Sequence, residues 1–317
     1  MERKAVFTST EVRQFVSRPL FDPKLLVSKD PSYPRISVVV CSYNQARFLE
    51  RTILSVLNQN YPNTELIIID GGSKDGSVKL IEKYEPYIAY WVSKPDRGQP
   101  SAINKGFERA SGEIIGWQNS DDLYLPGFFY TVAESLRTYP RSELLVGNVY
   151  IIDEDDRIRW GTRFIPFSVG HLIYLDWNLS SQATFVRRRL VERVGALRED
   201  IQVAFDWDWF IRVGKLAKYI VLHKAYGGCY RIHRASKLMT YSKRSRWLID
   251  MQILRSHDIR VREELPYKQQ TSLQARLLKL RMVFYVIMLY DARIPRQLRR
   301  VFVWGLERLR IVCKEFV

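Results

Sequence analysis

In GEIIGWQNSDDLYLPG, residues 112–127, a strand-like apolar run from Glu113 to Trp117 breaks off, and two adjacent carboxylates, Asp121 and Asp122, follow. Neighbouring side chains on a strand point to opposite faces. Two carboxylates this close repel unless water or a cation separates them. The pair is therefore either an exposed turn that caps the next helix or the seat of a cation, and hard cations take oxygen ligands. A second acidic pair, Asp206 and Asp208, sits in Phe205-Asp206-Trp207-Asp208-Trp209 at the start of a helical pattern. Carboxylates there also suit the helix dipole. Arg97, in the loop Lys94-Pro95-Asp96-Arg97-Gly98-Gln99, is suited to bidentate contact with phosphate. A late basic run, residues 230–237 (YRIHRASK), supplies His233, Arg231 and Lys237.

The elements between these residues predict what brings them together. Ile36–Cys41 is a β-branched run that reads as a buried strand, followed by Ser42-Tyr43-Asn44 and then Phe48, Leu49, Ile53, Val56 and Leu57 at helical spacing. Leu66–Ile69 is a second buried strand that ends in Asp70-Gly71-Gly72-Ser73. A short helix over 78–84, a strand over 88–92, a helix over 101–109 and a strand over 113–117 follow. Alternating strands and helices joined by short loops imply a mostly parallel sheet with helices on both faces. Ligands of such sheets bind at the carboxyl ends of the strands. The four polar loops after the strands should share that edge, and this convergence is the main functional signal. Further on, Pro126 is a candidate first residue of a helix reaching Arg137. Strands follow over 144–164 around an acidic turn, with another over 182–186 and a helix over 188–194. Two strands, near 219–222 and 228–232, close the pattern.

The whole chain narrows the class. Its 317 residues are 46% hydrophobic and 13% aromatic, enough for a sizeable core in one large domain or two ordinary ones. A net charge of +16 calls for an acidic partner such as nucleotide phosphate, nucleic acid or an anionic membrane surface. Cys41, Cys229 and Cys313 are far apart, without metal-ligand or disulfide spacing, as in a reduced compartment. The N-terminus lacks the apolar stretch of a signal peptide. The apolar run 282–290 is shorter than the roughly 20 residues a bilayer span needs, so a cytoplasmic protein is expected. Residues 1–34 read as an extension and 35–240 as the main domain, with halves meeting near 125. Residues 241–317 read as a helical basic region. Within it, residues 265–317 hold eleven Lys or Arg against three acids, interleaved with Leu, Val, Phe and Trp. That pattern suits either an anionic membrane surface or a helical hairpin packed on the core or on a second subunit.

ISVVVCSYNQARFLERTILSVLNQNYPNTELIIIDGGSKDG, then WVSKPDRGQPSAINKGFERASGEIIGWQNSDD and AFDWDWFIR, in this order, resemble the family 2 glycosyltransferases of the GT-A fold over roughly residues 36–235. The resemblance implies an inverting, Mg²⁺- or Mn²⁺-dependent transfer of a sugar from a nucleotide-diphosphate donor. A UDP-sugar is favoured, with GDP or dTDP as other possibilities. It implies Asp122 as metal ligand, Asp121 at the ribose or a metal-bound water, and Asp206 as the base that takes the acceptor proton. It implies Cys41, Tyr43 and Asp70 near the nucleoside, although many members carry two Asp where this chain has Asp70-Gly71, which leaves base selectivity open. Asp96, Arg97, Gln99 and Asn104 would meet nucleotide or sugar. His233 would close over the metal, with Arg231 and Lys237 on phosphate. Gln182, Trp207 and Asp208 would line the acceptor pocket. The implied acceptor is a glycan or lipid-linked glycan in surface-polysaccharide assembly at the cytosolic face of a membrane. Two other classes compete: a catalytically inactive relative acting as scaffold, and a nucleic-acid binder. The second lacks any recognised module, and no G-x-G-x-x-G follows the first strand to suggest a nicotinamide enzyme.

Overall fold

The computed structural model describes residues 6–164, 169–174, 180–237, 241–257 and 311–314, with isolated positions between 280 and 302. Helices α1 (Ser9–Ser17) and α2 (Pro23–Val27) precede strand β1 (Ile36–Ser42). Helix α3 (Ala46–Leu57), β2 (Thr64–Asp70), α4 (Ser77–Tyr84), β3 (Tyr90–Ser93), α5 (Gln99–Arg109) and β4 (Ile114–Asn119) then alternate as expected. The runs of Val and Ile form strands because helices cover the sheet and bury these side chains. These four strands pair in parallel in the order β4-β1-β2-β3. Their register sets Cys41 beside Asn119, Ser42 beside Asp70, and Asp70 beside Ser93. All four strand ends therefore share one edge. Gly106 lets α5 lie directly on β1, since a Cβ there would meet a Val39 methyl at 2.2 Å.

The sheet continues through β5 (Leu123–Tyr124), α6 (Phe128–Thr138), β6 (Leu144–Ile152), β7 (Ile158–Gly161), α7 (Val169–Tyr174), β8 (Thr184–Arg187), α8 (Arg188–Val194), α9 (Phe205–Leu216) and β9 (Ile220–Arg231). Strand β8 lies antiparallel between β4 and β6, β9 runs parallel to β6, and β10 (Ile311–Lys314) runs parallel to β9. The chain thus has a mostly parallel mixed α/β architecture. No helix among the described residues is long and apolar enough to cross a membrane.

Several expectations change. Helix α5 starts at Gln99 rather than 101, because Gly98 at φ 102° turns the chain into it. Pro126 does not open α6; Gly127, at φ 74°, makes the turn and the helix begins at Phe128. The two strands expected near 219–232 are one 12-residue strand. Its pairing with β6 slips on either side of Asn148, whose side-chain amide donates to the Lys224 carbonyl inside the irregularity. Residues from 6 onward are not a loose extension. Val12, Phe15 and Val16, at i, i+3 and i+4, are the buried face of α1, and Thr8 and Glu11 form a capping box at its start. At the other end, β10 belongs to the sheet, and helix α10 (Lys243–Ser256) buries Met251, Ile253 and Leu254. The boundary at 240 therefore does not end the core. Most of the expected basic helical tail lies outside the described residues.

Asn58 at the end of α3 ties the N-terminal segment down. Its amide donates to the carbonyls of Phe15 (2.5 Å) and Arg18 (3.1 Å), and its oxygen accepts from the Leu20 N–H (2.7 Å). Asn58→Ala strands three backbone groups, so urea denaturation should show a loss of about 2 kcal/mol or more. An unchanged midpoint would mean that residues 6–34 are not held this way.

Candidate active site

A cavity of about 890 Å³ opens at the shared strand edge. On one side it is lined by Ser42, Tyr43, Gly71, Asp96 and Gln99, with Cys41 and Trp117 in its floor. Asp70 does not reach it. Its carboxylate is fully buried and accepts from Gly72 N–H (3.0 Å), Ser73 N–H (2.8 Å), Ser73 Oγ (2.5 Å) and Ser93 Oγ (2.7 Å). Asp70 shapes the loop that was expected to carry its contact with a donor. That loop brings Gly71 between the Tyr43 ring and the Asp96 carboxylate, where a Cβ would lie 3.3 Å and 3.4 Å from them. Asp96 itself accepts from Gly98 N–H at 2.8 Å. Gln99 donates to Asn119 Oδ1 at 2.6 Å and lies 3.7 Å from the Cys41 sulfur. Burial pushes the Cys41 thiol up to about 12, so it is a neutral packing group.

Arg97 and Asn104, both expected at nucleotide or sugar, face elsewhere. Arg97 pairs with Glu199 at 2.7 Å. Asn104 is buried and exchanges hydrogen bonds with the Leu197 backbone, donating to its carbonyl at 2.9 Å and accepting from its N–H at 2.8 Å. Gln202 completes this connection by donating to the carbonyls of Arg97 (2.9 Å) and Glu199 (2.8 Å). Together they strap the 94–98 loop and α5 to the 195–204 segment.

The two neighbouring carboxylates have different surroundings. Asp122, expected to ligate metal, is walled in. One oxygen accepts from Arg231 N–H (2.7 Å), the other from Asn119 Nδ2 (2.8 Å) and Gln182 Nε2 (2.5 Å). Burial, and then the charge of Asp121, push its pKa up to about 8. Asp121 is the member that lines the cavity, and its Oδ2 accepts from His233 Nε2 at 2.8 Å. His233 is buried behind it, its ring 4.9 Å from that of Phe48. Arg231, expected on phosphate, is also buried. It donates to the carbonyls of Asp121 (2.6 Å) and Asp153 (2.9 Å), pairs with Asp156 at 2.6 Å, and lies over the Phe48 ring. Lys237 does line the cavity, with its pKa lowered by burial.

On the far side Asp206 enters the cavity from the first turn of α9. The preceding Ala204 holds φ 60°, a left-handed conformation that costs a non-glycine residue roughly 1–2 kcal/mol. The carboxylate of Asp206 accepts from Trp207 N–H at 2.9 Å, and burial pushes it up to about 6. Trp207 and Asp208, expected at the acceptor, turn away from the cavity. Trp207 donates to the Leu172 carbonyl at 2.8 Å. Asp208 accepts from Arg212 (3.2 Å) and His257 (2.9 Å). Gln182 lines the cavity, but its amide is tied to Asp122 and Ser180. Asn119, Glu199, Gln202 and Tyr230 were not foreseen as site residues, although Asn119 and Tyr230 lay in noticed motifs.

The sequence profile of glycosyl transferase family 2 matches residues 37–219. The chain belongs to this family. It is 32% identical over 194 residues to an uncharacterized glycosyltransferase of Mycobacterium tuberculosis, which covers 60% of this chain and 73% of that one. It is 28% identical over 183 residues to a PGL/p-HBAD biosynthesis glycosyltransferase of Mycobacterium bovis, covering 56% and 69%. Among solved structures, residues 1–349 of S. aureus TarS in complex with UDP-GlcNAc superpose with a TM-score of 0.58 at 16% identity, over 86% of this chain and 80% of that one. The mannosyltransferase PcManGT of Pyrobaculum calidifontis, in complex with GDP-Man and Mn²⁺, gives 0.53 at 15% identity, over 95% and 86%. The chain is a glycosyltransferase with the fold of these enzymes.

A family 2 glycosyltransferase implies a divalent cation, and the donor set here fits one. Among the described residues no three His, Cys, Asp or Glu side chains gather around one point. Mg²⁺-type cations need no such cage, because one or two carboxylates plus substrate phosphates suffice. The Asp121 oxygens, at the cavity and backed by His233, are a hard donor of that kind.

The two carboxylates of α9 should respond oppositely to amidation. Asp208→Asn breaks a buried ion pair and should lose about 3 kcal/mol in urea denaturation. Asp206 holds its proton more tightly folded than unfolded, so its contribution to stability declines as pH rises from about 4 to 6. Asp206→Asn should keep full stability at pH 7.5 and flatten that slope. Equal losses for both variants would contradict the separation of roles.

Proposed function

We propose that the chain is an inverting, metal-dependent glycosyltransferase, moving a sugar from a nucleotide diphosphate to a hydroxyl of a glycan or lipid-linked glycan. The observation that carries this reading is that Asp121 and Asp206 line one cavity at the strand edge. In the reaction, the acceptor oxygen attacks the anomeric carbon as Asp206 takes its proton. The bond from that carbon to the diphosphate breaks, and its electrons leave with the diphosphate. A general base works best with acidity near the operating pH, and burial has moved Asp206 toward it, to about 6. Asp121 would hold Mg²⁺ or Mn²⁺, which neutralises the charge growing on the leaving diphosphate. Lys237, on the same cavity, adds a second positive charge. Tyr43, Gly71, Asp96, Gln99 and Asn119 line the same cavity and would meet the nucleoside. The solved neighbours' UDP-GlcNAc and GDP-Man complexes support a nucleotide-sugar donor, and UDP is our first choice of carrier.

Release of nucleotide from UDP-, GDP- and dTDP-sugars, with Mn²⁺ and bacterial lipid or glycan extracts as acceptors, tests the reading. Turnover should rise between pH 5 and 7 with an apparent pKa near 6, then level off. Asp206→Asn should lower kcat by about 10² to 10⁴ and leave nucleotide affinity intact. Transfer undiminished in that variant would remove Asp206 as the base. Nucleotide binding without any turnover in the wild type would instead favour a scaffold.

A further inference from the structure

Resting on that glycosyltransfer reading, we propose that the acceptor hydroxyl is carried on an apolar frame, an alkyl chain or aryl ring, seated against Val149, Ile151 and Phe164. The cavity has two unlike walls. The nucleotide side presents Tyr43, Asp96, Gln99, Asn119 and Asp121. The same cavity is also lined by Val149 and Ile151 from β6, by Phe164, and by Val203 and Phe205 next to Asp206 in sequence.

Several polar side chains on this second wall are already engaged within the protein. Thr162 Oγ1 donates to the Val149 carbonyl (2.9 Å) and accepts from the Val149 N–H (3.2 Å). Gln182 is held at both ends, by Ser180 and Asp122. The Gln202 amide is taken by two backbone carbonyls. Among the described residues, Val149, Ile151, Phe164, Val203 and Phe205 offer no hydrogen-bonding side chain to a sugar ring pressed against them, whereas apolar surface there gains by leaving water.

The wall also stands beside the reacting groups. Ile151 is the register partner of Tyr230 across β6 and β9, and both line the cavity. The Tyr230 phenol is pushed up first by burial and then by the charges of Asp122, Asp121 and Asp206, so it lies within reach of their field. Ile151, Tyr230 and Asp206 line the same cavity, so an alcohol lying on Ile151 shares that space with the Asp206 carboxylate. The wall is formed largely by a sheet strand, so the subsite is preformed rather than assembled from loops.

The test uses the full chain with UDP and Mn²⁺ present. Methyl β-D-glucopyranoside, whose hydroxyls sit on a sugar ring, and 1-octanol, whose hydroxyl sits on an alkyl chain, are titrated calorimetrically, the alcohol below its solubility limit. The octyl compound should bind at least about tenfold more tightly. Ile151→Thr should shrink that preference to threefold or less and leave UDP binding unchanged, while Ile151→Leu should retain it. Val149→Thr, nearly isosteric, serves the same purpose should Ile151→Thr fold poorly. Equal binding of the two alcohols, or an octyl preference that survives the Thr variants, overturns the apolar acceptor subsite alone. Failure of the wild type to bind any of UDP, GDP or dTDP overturns the glycosyltransfer reading beneath it.

Discussion

The site depends on one buried carboxylate. Asp122 is 1% exposed and takes hydrogen bonds from the end of β4 through Asn119, from β9 through Arg231, and from the turn before β8 through Gln182. A buried carboxylate is tolerated only when its oxygens are satisfied, so these three segments must meet at this point. Arg231 reinforces the junction by holding the Asp121 carbonyl and the 153–156 turn. With Asp122 fixed inward, its neighbour Asp121 is turned to the cavity and steadied by His233. The adjacent acids stand together because one is a buried anchor and the other lines the cavity.

A second constraint joins the two halves of the chain. The Arg97–Glu199 pair, the Gln202 bonds and the Asn104–Leu197 exchange hold the nucleotide-side loop against the segment leading into α9. That segment ends in the left-handed Ala204, and Asp206 follows at once. Asp208, through Arg212 and His257, fixes the same helix from behind and links it to the end of α10. Arg97, Asn104 and Asp208, whose types suggest ligand contact, are instead bonded to the segment or helix that carries Asp206.

The fold was legible where the signal is local. β-branched runs, helical spacing and turn residues located the first four strands and their shared edge, and the ordered motifs identified the family. Polar partners were not legible, because they lie far along the chain. Asp122 meets Arg231 109 residues away, and Asn104 meets Leu197 93 residues away. Spacing cannot tell an Asp facing a cavity from an Asp facing a backbone N–H, so Asp70, Arg97, Asn104, Arg231 and Asp208 looked like ligand contacts. Helix α1 was missed for a different reason. Its apolar face is only Val12, Phe15 and Val16, set among polar residues, and its burial depends on Asn58 and β6.

The central claim is that Asp121, presented by Asp122, completes a metal–diphosphate site at this edge. Thermal unfolding with UDP, GDP or dTDP, each with Mn²⁺ or with EDTA, tests it in wild type and Asp121→Ala. One nucleotide at 100 times its Kd should add about 2.7 kcal/mol with Mn²⁺. That gain should vanish with EDTA and in the variant. A metal-dependent gain that persists in Asp121→Ala, or no gain with any nucleotide, would contradict the account.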